Sequence, residues 1–137
     1  MRKFYPFLKL VFVLLITGSL SAQTTDLIIS EYAEGSSFNK YIEIYNGTGA
    51  PVNLTDYEIW RISNGGSWPE ATLSLSGILA DGDVYVISNP NAVSGIVAVS
   101  DITSGVVSWN GDDAVGLAKN STLIDAVGES GGDPGSG

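Results

Sequence analysis

The chain has 137 residues, of which 15 are acidic and six are basic, and it contains neither cysteine nor histidine. The absence of both residue types excludes disulfides, cysteine or histidine zinc sites, Ser-His-Asp and Cys-His catalytic arrangements, and a histidine general base. Only carboxylates, tyrosines, lysines and hydroxyl groups are left to carry chemistry.

The first 22 residues have the pattern of a secretory signal peptide. Basic residues within the first nine positions precede an uncharged apolar run, Leu10 to Thr17, and small residues follow as far as Ala22. This run is too short to cross the apolar core of a membrane, which is roughly 30 Å thick, as a helix. We therefore predict cleavage near Ala22, secretion or display on an extracellular surface, and no transmembrane anchor in the mature chain. An uncleaved N-terminal anchor is the alternative.

Removal of the leader leaves a strongly acidic chain. All 15 acidic residues follow Ala22, whereas only Lys40, Arg61 and Lys119 remain of the basic ones, so the mature chain has a net charge of −12. Binding to DNA or RNA requires lysines and arginines that displace condensed counterions. We therefore expect no direct binding to nucleic acid. About 115 residues are enough for one hydrophobic core, so residues 23–137 are predicted to form one domain.

The first predicted elements are two strands joined by a polar loop, between Leu27 and Asn46. In the second strand, Ile42 and Ile44 alternate with polar and aromatic residues, which is the period of a half-buried strand. The loop, Glu34 to Asn39, is rich in glycine and serine and cannot lie inside either strand. The apolar face of the second strand is predicted to be buried between two sheets.

Short alternating segments separated by Gly, Asn, Asp and Pro continue along the chain. Alternation in Tyr57 to Ile62 places Trp60 and Ile62 together on a face that is predicted to be core, and Asp81-Gly82 predicts a tight turn. The stretch Asn91 to Ser104 fits either a helical turn or an irregular edge. The other predicted strands are Thr72–Leu75, Asp83–Ser88, Val106–Trp109, Ala114–Ala118 and Leu123–Val127. Strands at intervals of about ten residues predict an all-β antiparallel sandwich or barrel.

The combined motifs of the chain resemble a known family. They are EGSSFNKYIEIYNGTGAPVNLTDYEIW, LADGDVYVISNPNA and NGDDAVGLAKNSTLIDAVGE. Together they are similar to the bacterial form of the lamin tail domain, from about Asp26 to the end of the chain. The resemblance implies an immunoglobulin-like antiparallel β-sandwich that acts as a non-catalytic accessory module of secreted and surface proteins. Such modules often stand beside exported nucleases, phosphatases or other hydrolases. No nuclear role of animal lamins is carried over.

The end of the chain departs from this family. Members usually continue past a strand like DAVGE to a closing strand that ends in basic residues, but residues Gly131 to Gly137 read GGDPGSG and no apolar residue follows Val127. A segment of this composition has no apolar surface to bury. We therefore expect the β-sandwich of residues 23–137 to be incomplete at its C-terminal end.

Two groups of carboxylates are candidate sites. Glu31 and Glu43 lie on the two strands of the opening pair, and a glycosidase uses such a pair. The alternative is that one faces water while the other accepts hydrogen bonds from loop amides. The second group, Asp112-Asp113 with Asp81 and Asp83, suggests calcium, but it matches no EF-hand loop, and Asp or Asn before a strand more often caps a turn. No residue is assigned as catalytic, cofactor-binding or metal-ligating.

The aromatic residues and three asparagines are weaker candidates. Tyr57, Trp60, Trp68 and Trp109 suit either a flat carbohydrate-binding platform or the interior of a small sandwich, and Trp68 in its glycine-rich loop is the best candidate for an exposed contact. Asn46, Asn53 and Asn120 each begin an Asn-x-Thr triplet, which is a signal only in a host that attaches glycans there.

Two classes of function remain. The first is a non-catalytic extracellular module that tethers or orients a protein, a polysaccharide or a fused domain. The second is an N-terminal accessory domain of an exported hydrolase, such as a nuclease or phosphatase, whose catalytic part lies outside these residues. An enzyme within these residues would need an acid–base pair that the sequence does not supply.

Overall fold

The computed structural model describes residues 23–132 of the chain, and its regular structure is almost entirely β-strand. A 3₁₀ turn over Leu54–Asp56 and a short helix, α1 (Ser94–Val97), are the helical segments of this part of the chain. The all-β prediction is confirmed. The strands are β1 (Ile28–Glu34), β2 (Lys40–Tyr45), β3 (Val52–Asn53), β4 (Tyr57–Ile62), β5 (Ala71–Ser74), β6 (Ile78–Leu79), β7 (Val84–Ser88), β8 (Ile102–Thr103), β9 (Ala114–Lys119) and β10 (Thr122–Val127).

Eight of these strands form two four-stranded sheets. The first sheet has the order β1-β2-β7-β8 and the second has the order β10-β9-β4-β5, while β3 and β6 pair separately. Every pairing is antiparallel except that of β7 with β8. The opening hairpin β1–β2 and the closing hairpin β9–β10 thus belong to different sheets.

The two sheets share one hydrophobic core. From the first sheet, Ile42 and Ile44 of β2 are fully buried in it, and from the second sheet Tyr57 and Ile59 of β4 pack into the same cluster. The predicted alternation of β2 is therefore confirmed, since its burial pattern switches at every residue. An all-β chain with two sheets around one core is consistent with the immunoglobulin-like sandwich that the resemblance implies. The rest of the cluster consists of Leu27, Leu54, Leu75, Leu79, Ile87, Val107, Trp109, Val115 and Leu117.

A β-bulge interrupts β1. Ile29 and Tyr32 both pack against the core although they are three positions apart, a spacing that would place them on opposite faces of a regular strand. The register shifts between Ile29 and Glu31, and Ser30 has no partner on β2. This extra residue allows Ile29 and Tyr32 to face the same side of the sheet. The bulge therefore leaves Glu31 paired with Glu43 while Tyr32 turns inward.

The segment Val106 to Trp109 forms no strand, contrary to prediction. Val107 and Trp109 are buried in the core as their apolar character requires, but their backbone joins neither sheet. Hydrogen bonds from side chains replace strand pairing in this segment. The side-chain amide of Asn89 donates to the Val107 carbonyl oxygen at 2.6 Å. The Trp109 indole donates to the carbonyl oxygen of Ala33 at 3.1 Å. A buried backbone group needs a partner but not a strand partner.

Trp60 and Ile62 of β4 are buried, as predicted. The cluster between the sheets contains Tyr57 and Ile59, from the opposite face of the same strand. Trp60 therefore lies on the outer face of the second sheet. When both faces of a strand are buried, apolar residues occur on both, and the sequence no longer shows which face turns toward the other sheet.

The two remaining local predictions are resolved by the structure. The stretch Asn91 to Ser104 contains both alternatives, because α1 supplies a helical turn and β8 pairs with β7 as the last strand of its sheet. The Asp81-Gly82 turn is confirmed, with Gly82 at φ +78°. This is a backbone conformation that favours glycine.

Two further predictions fall outside the described residues. The predicted signal peptide, residues 1–22, precedes them, and residues 133–137 of the glycine-rich tail follow them. Within residues 23–132, no helix is long and apolar enough to span a bilayer.

The shared core predicts a sharp difference between two isoleucines. Ile44 is 0% exposed and Ile78 is 69% exposed. We expect Ile44→Ala to lower the free energy of unfolding by about 2–5 kcal/mol, because it leaves a cavity between the sheets. The same substitution at Ile78 should change it by less than about 0.5 kcal/mol. Urea unfolding of both variants measures this, and equal midpoints would contradict the assignment of the core.

Candidate functional site

The two glutamates singled out in the sequence lie directly opposite each other. The register of β1 and β2 pairs Glu31 with Glu43 on the outer face of the first sheet. The Tyr41 hydroxyl donates to Glu31 at 2.5 Å, and the Ser30 hydroxyl donates to Glu43 at 2.8 Å. The hydrogen bond to Glu31, with a smaller effect of burial, raises the pKa of Tyr41. The partners of both carboxylates are thus hydroxyl groups, not the loop amides that the sequence suggested.

These carboxylates line a shallow groove, hereafter the acidic groove. Its floor is the outer face of β1, β2 and β7, and the segment around α1 forms its wall. The volume is about 270 Å³. Its lining residues are Glu31, Tyr41, Glu43, Val86, Gly95, Ile96 and Val99. The sequence offered no signal for this wall, because α1 begins 49 positions after the opening hairpin ends.

Amide groups of the backbone and of one side chain hold the acidic turn at Asp112 and Asp113. Asp113 accepts hydrogen bonds from the amides of Asn64 at 3.2 Å and Asn110 at 3.1 Å, and it lies 3.8 Å from the Arg61 guanidinium. Asp112 accepts the Asn110 side-chain amide at 2.6 Å. This is the turn-capping alternative to a calcium site. Within residues 23–132, no group of three or more acidic side chains is arranged to hold a metal ion.

The second acidic pair has the same character. Asp81 accepts the Gly49 amide at 2.7 Å, which joins its turn to the loop after β2. Asp83 accepts the amide of the next residue, Val84, at 2.9 Å. The two side chains therefore have separate partners: the loop after β2 for Asp81 and the first residue of β7 for Asp83.

The four aromatic residues do not form one platform. Tyr57 and Trp109 are buried in the core, where Trp109 stacks on Tyr32 with ring centroids 5.1 Å apart. Trp60 and Trp68 lie on the outer face of the second sheet. The ring of Trp68 covers Gly116, since a Cβ atom on that glycine would lie 3.4 Å from it. Trp68 is half-buried, so the prediction that it is exposed is wrong.

The three Asn-x-Thr triplets differ in access. Asn46 is fully buried, and its side-chain amide donates to the carbonyl oxygens of Ala50 and Leu79, so the folded chain cannot offer it to a glycosyltransferase. Asn53 is exposed at the start of the 3₁₀ turn. Asn120 is exposed in the β9–β10 hairpin, where Asn120 and Ser121 both have positive φ.

The comparison with protein families agrees with this architecture. The sequence profile of the Lamin Tail Domain matches residues 21–131, which is most of the chain. The chain belongs to the lamin tail domain family. A comparison with curated proteins gave no match. The resemblance seen in the sequence motifs is confirmed, and the family is one of immunoglobulin-like interaction domains, compatible with a non-catalytic module.

A polar cluster that the sequence did not predict links the two sheets of this lamin tail domain. Asp26, just before β1, accepts a hydrogen bond from the Tyr57 hydroxyl and another from the Lys119 ammonium at 2.8 Å. The ammonium also lies 5.1 Å from the centroid of the Tyr57 ring. The cluster thus joins the start of β1 to β4 and β9 of the other sheet.

The cluster shifts the ionisation of its members. Burial raises the pKa of Asp26, but hydrogen bonds from Lys119, Tyr57 and the Leu27 amide outweigh it, so this pKa lies below its usual 3.8. Burial and the bond to Asp26 raise the pKa of Tyr57. The bond to Asp26 also raises the pKa of Lys119. Each shift favours the ionised Asp26–Lys119 pair, which joins the two sheets. Asp26 also lines an open pocket of about 310 Å³, beside Ile28 and Ile124.

The lowered pKa of Asp26 predicts a dependence of stability on acid. A carboxylate whose folded pKa lies below its unfolded value stabilises the fold above pH 3.8 and loses that contribution as the pH falls further. We expect Lys119→Met to cost about 0.5–1 kcal/mol at neutral pH, because the pair is partly exposed, and to flatten the fall in stability below pH 3.8.

Urea unfolding between neutral pH and pH 3 measures both effects. Asp26→Asn, alone and combined with Lys119→Met, completes a double-mutant cycle that isolates the pair. Parallel pH profiles for the wild type and Lys119→Met would contradict the role of the pair.

Proposed function

We propose that the protein is a non-catalytic interaction module that acts outside the cell, as part of a secreted or surface protein. Membership in a family of immunoglobulin-like interaction domains carries this proposal. The charged, apolar and small-residue pattern of residues 1–22 supports export. The alternative is an N-terminal accessory domain of an exported hydrolase, such as a nuclease or phosphatase, whose catalytic part lies outside these residues.

The chemistry of the candidate carboxylates also supports a non-catalytic role. Glu31 and Glu43 lie in an open groove, and each accepts a hydrogen bond from a neighbouring hydroxyl group. Asp113 accepts hydrogen bonds from backbone amides, and Asp26 accepts them from Tyr57 and Lys119.

The first test of this proposal is a search for turnover. We expect the purified protein to hydrolyse nucleic acid, phosphoester and glycoside substrates no faster than a buffer control, with or without added divalent cations. Glu31→Gln and Glu43→Gln should leave that background unchanged. Turnover that disappears in either variant would contradict a non-catalytic role.

The second test concerns export. When the full chain is expressed with its own N-terminus, we expect the protein to leave the cytoplasm and to begin at or near Gln23. Fractionation and N-terminal sequencing of the product measure this. Replacement of Leu14 by Arg, within the apolar run, is the matched control and should retain the uncleaved chain in the cell. A cytoplasmic product that begins at Met1 would contradict the extracellular role.

A further inference from the structure

The acidic groove combines two kinds of surface that proteins usually keep apart. Its wall is aliphatic, with Val99 70% exposed beside Ile96 of α1. Two more exposed apolar residues, Phe38 and Val93, flank this wall. The Asn39 side chain accepts a hydrogen bond from the Val93 backbone amide at 2.9 Å, which holds the loop containing Phe38 at the start of α1. Three of the seven large apolar side chains that are exposed in residues 23–132 thus belong to this region. A grouping of exposed apolar side chains is typical of an interaction surface.

The floor of the groove holds an unfavourable pair of charges. Glu31 and Glu43 face each other across an antiparallel ladder, and like charges in that position destabilise a sheet. The basic side chains of the described residues are engaged elsewhere: Lys40 with Glu34, Arg61 with Asp113, and Lys119 with Asp26. A positive charge that enters the groove from outside would relieve this repulsion.

The size of the groove limits what can fill it. Its volume of about 270 Å³ lies below the range of about 300–1,000 Å³ that encloses small-molecule ligands, and it is open to solvent. Such a site suits one or two side chains of a peptide. A lysine or arginine has an aliphatic stem and a charged head, which match the wall and the floor respectively. Anionic membranes, nucleic acids and sulfated polysaccharides have the same sign of charge as the domain and are disfavoured.

We propose that the acidic groove binds a basic, apolar segment of a partner protein. One lysine or arginine head lies between Glu31 and Glu43, and the neighbouring apolar side chains pack on Val86, Ile96 and Val99. The Tyr41 and Ser30 hydroxyls hold the two carboxylates in place for that contact. This inference rests on the proposed function and names the partner class for it.

The test uses a defined probe. A soluble peptide with two lysines among leucines and glycines is titrated into the isotopically labelled protein, together with a matched peptide in which glutamine replaces both lysines. We expect amide shifts at Gly95, Ile96 and Val99 with the lysine peptide only. Binding should weaken as the salt concentration rises from about 20 to 150 mM, because the carboxylates are partly exposed.

Variants separate the two parts of the groove. Glu31→Gln and Glu43→Gln should each weaken binding about two- to fivefold, the range for an exposed ion pair. Val99→Ser should weaken it without affecting folding, since that side chain is already exposed. Glu129→Gln makes the same change in net charge on an exposed residue after β10 and should leave the affinity unchanged.

The outcomes that overturn the inference are distinct from failure of the proposed function. No binding of the lysine peptide, or equal binding of the glutamine peptide, would overturn the assignment of a basic partner. Shifts confined to another face, or an equal effect of Glu129→Gln and Glu43→Gln, would overturn the groove as its site. Each of these results leaves an extracellular, non-catalytic module intact, whereas turnover or a cytoplasmic product would overturn the proposed function itself.

Discussion

The structure depends on the burial of alternating side chains between its two sheets. With no disulfide available, the chain relies on apolar contacts such as those of Ile42 and Ile44 with the second sheet to offset the loss of conformational entropy on folding. The same contact orients everything else, because a strand that turns one face inward must turn the other outward. The outward face of β2 thus presents Tyr41 and Glu43 as a consequence of what its inward face buries.

The bulge in β1 interrupts this alternation and places two carboxylates next to each other on the outer face of the sheet. It allows Tyr32 to reach the core and stack on Trp109 while Glu31 stays outside, paired with Glu43. A regular strand with Ile29 inward would have directed Glu31 inward as well, against the apolar core. One additional residue therefore places two carboxylates side by side, and the segment around α1 supplies the apolar wall next to them.

The polar groups that look most reactive in the sequence have structural partners instead. Asp113 and Asp81 hold turns through backbone amides, and Asp26 joins the two sheets through Tyr57 and Lys119. Buried or half-buried polar groups must be satisfied, and in a chain rich in turns the nearest donors are backbone amides. The acidic groove differs from these sites, because hydroxyl groups fix its carboxylates and none of the basic side chains in residues 23–132 pairs with them.

Much of the fold could be predicted because its cause is local. The period of two in β2 follows from residues that are adjacent in the chain, and the Asp81-Gly82 turn follows from the freedom of one glycine. These patterns, with the motifs shared with the lamin tail domain, were enough to predict an all-β chain of that family. Periodicity failed at Val106 to Trp109, where buried residues take side-chain partners in place of a ladder. It predicted the burial of Trp60 but could not identify which face of β4 turns toward the other sheet, because both faces are buried.

The sequence by itself determined the class of the fold, the family, the strong negative charge and the lack of cysteine and histidine chemistry. The tertiary structure alone decided which polar groups meet. Asp26 reaches Lys119 across 93 positions of chain, and Glu31 and Glu43 meet α1 only because β2 pairs with β7. Such contacts depend on sheet order and on a bulge that shifts the register. Neither follows from local periodicity, because the free energy that selects them comes from packing between segments that are distant in the sequence.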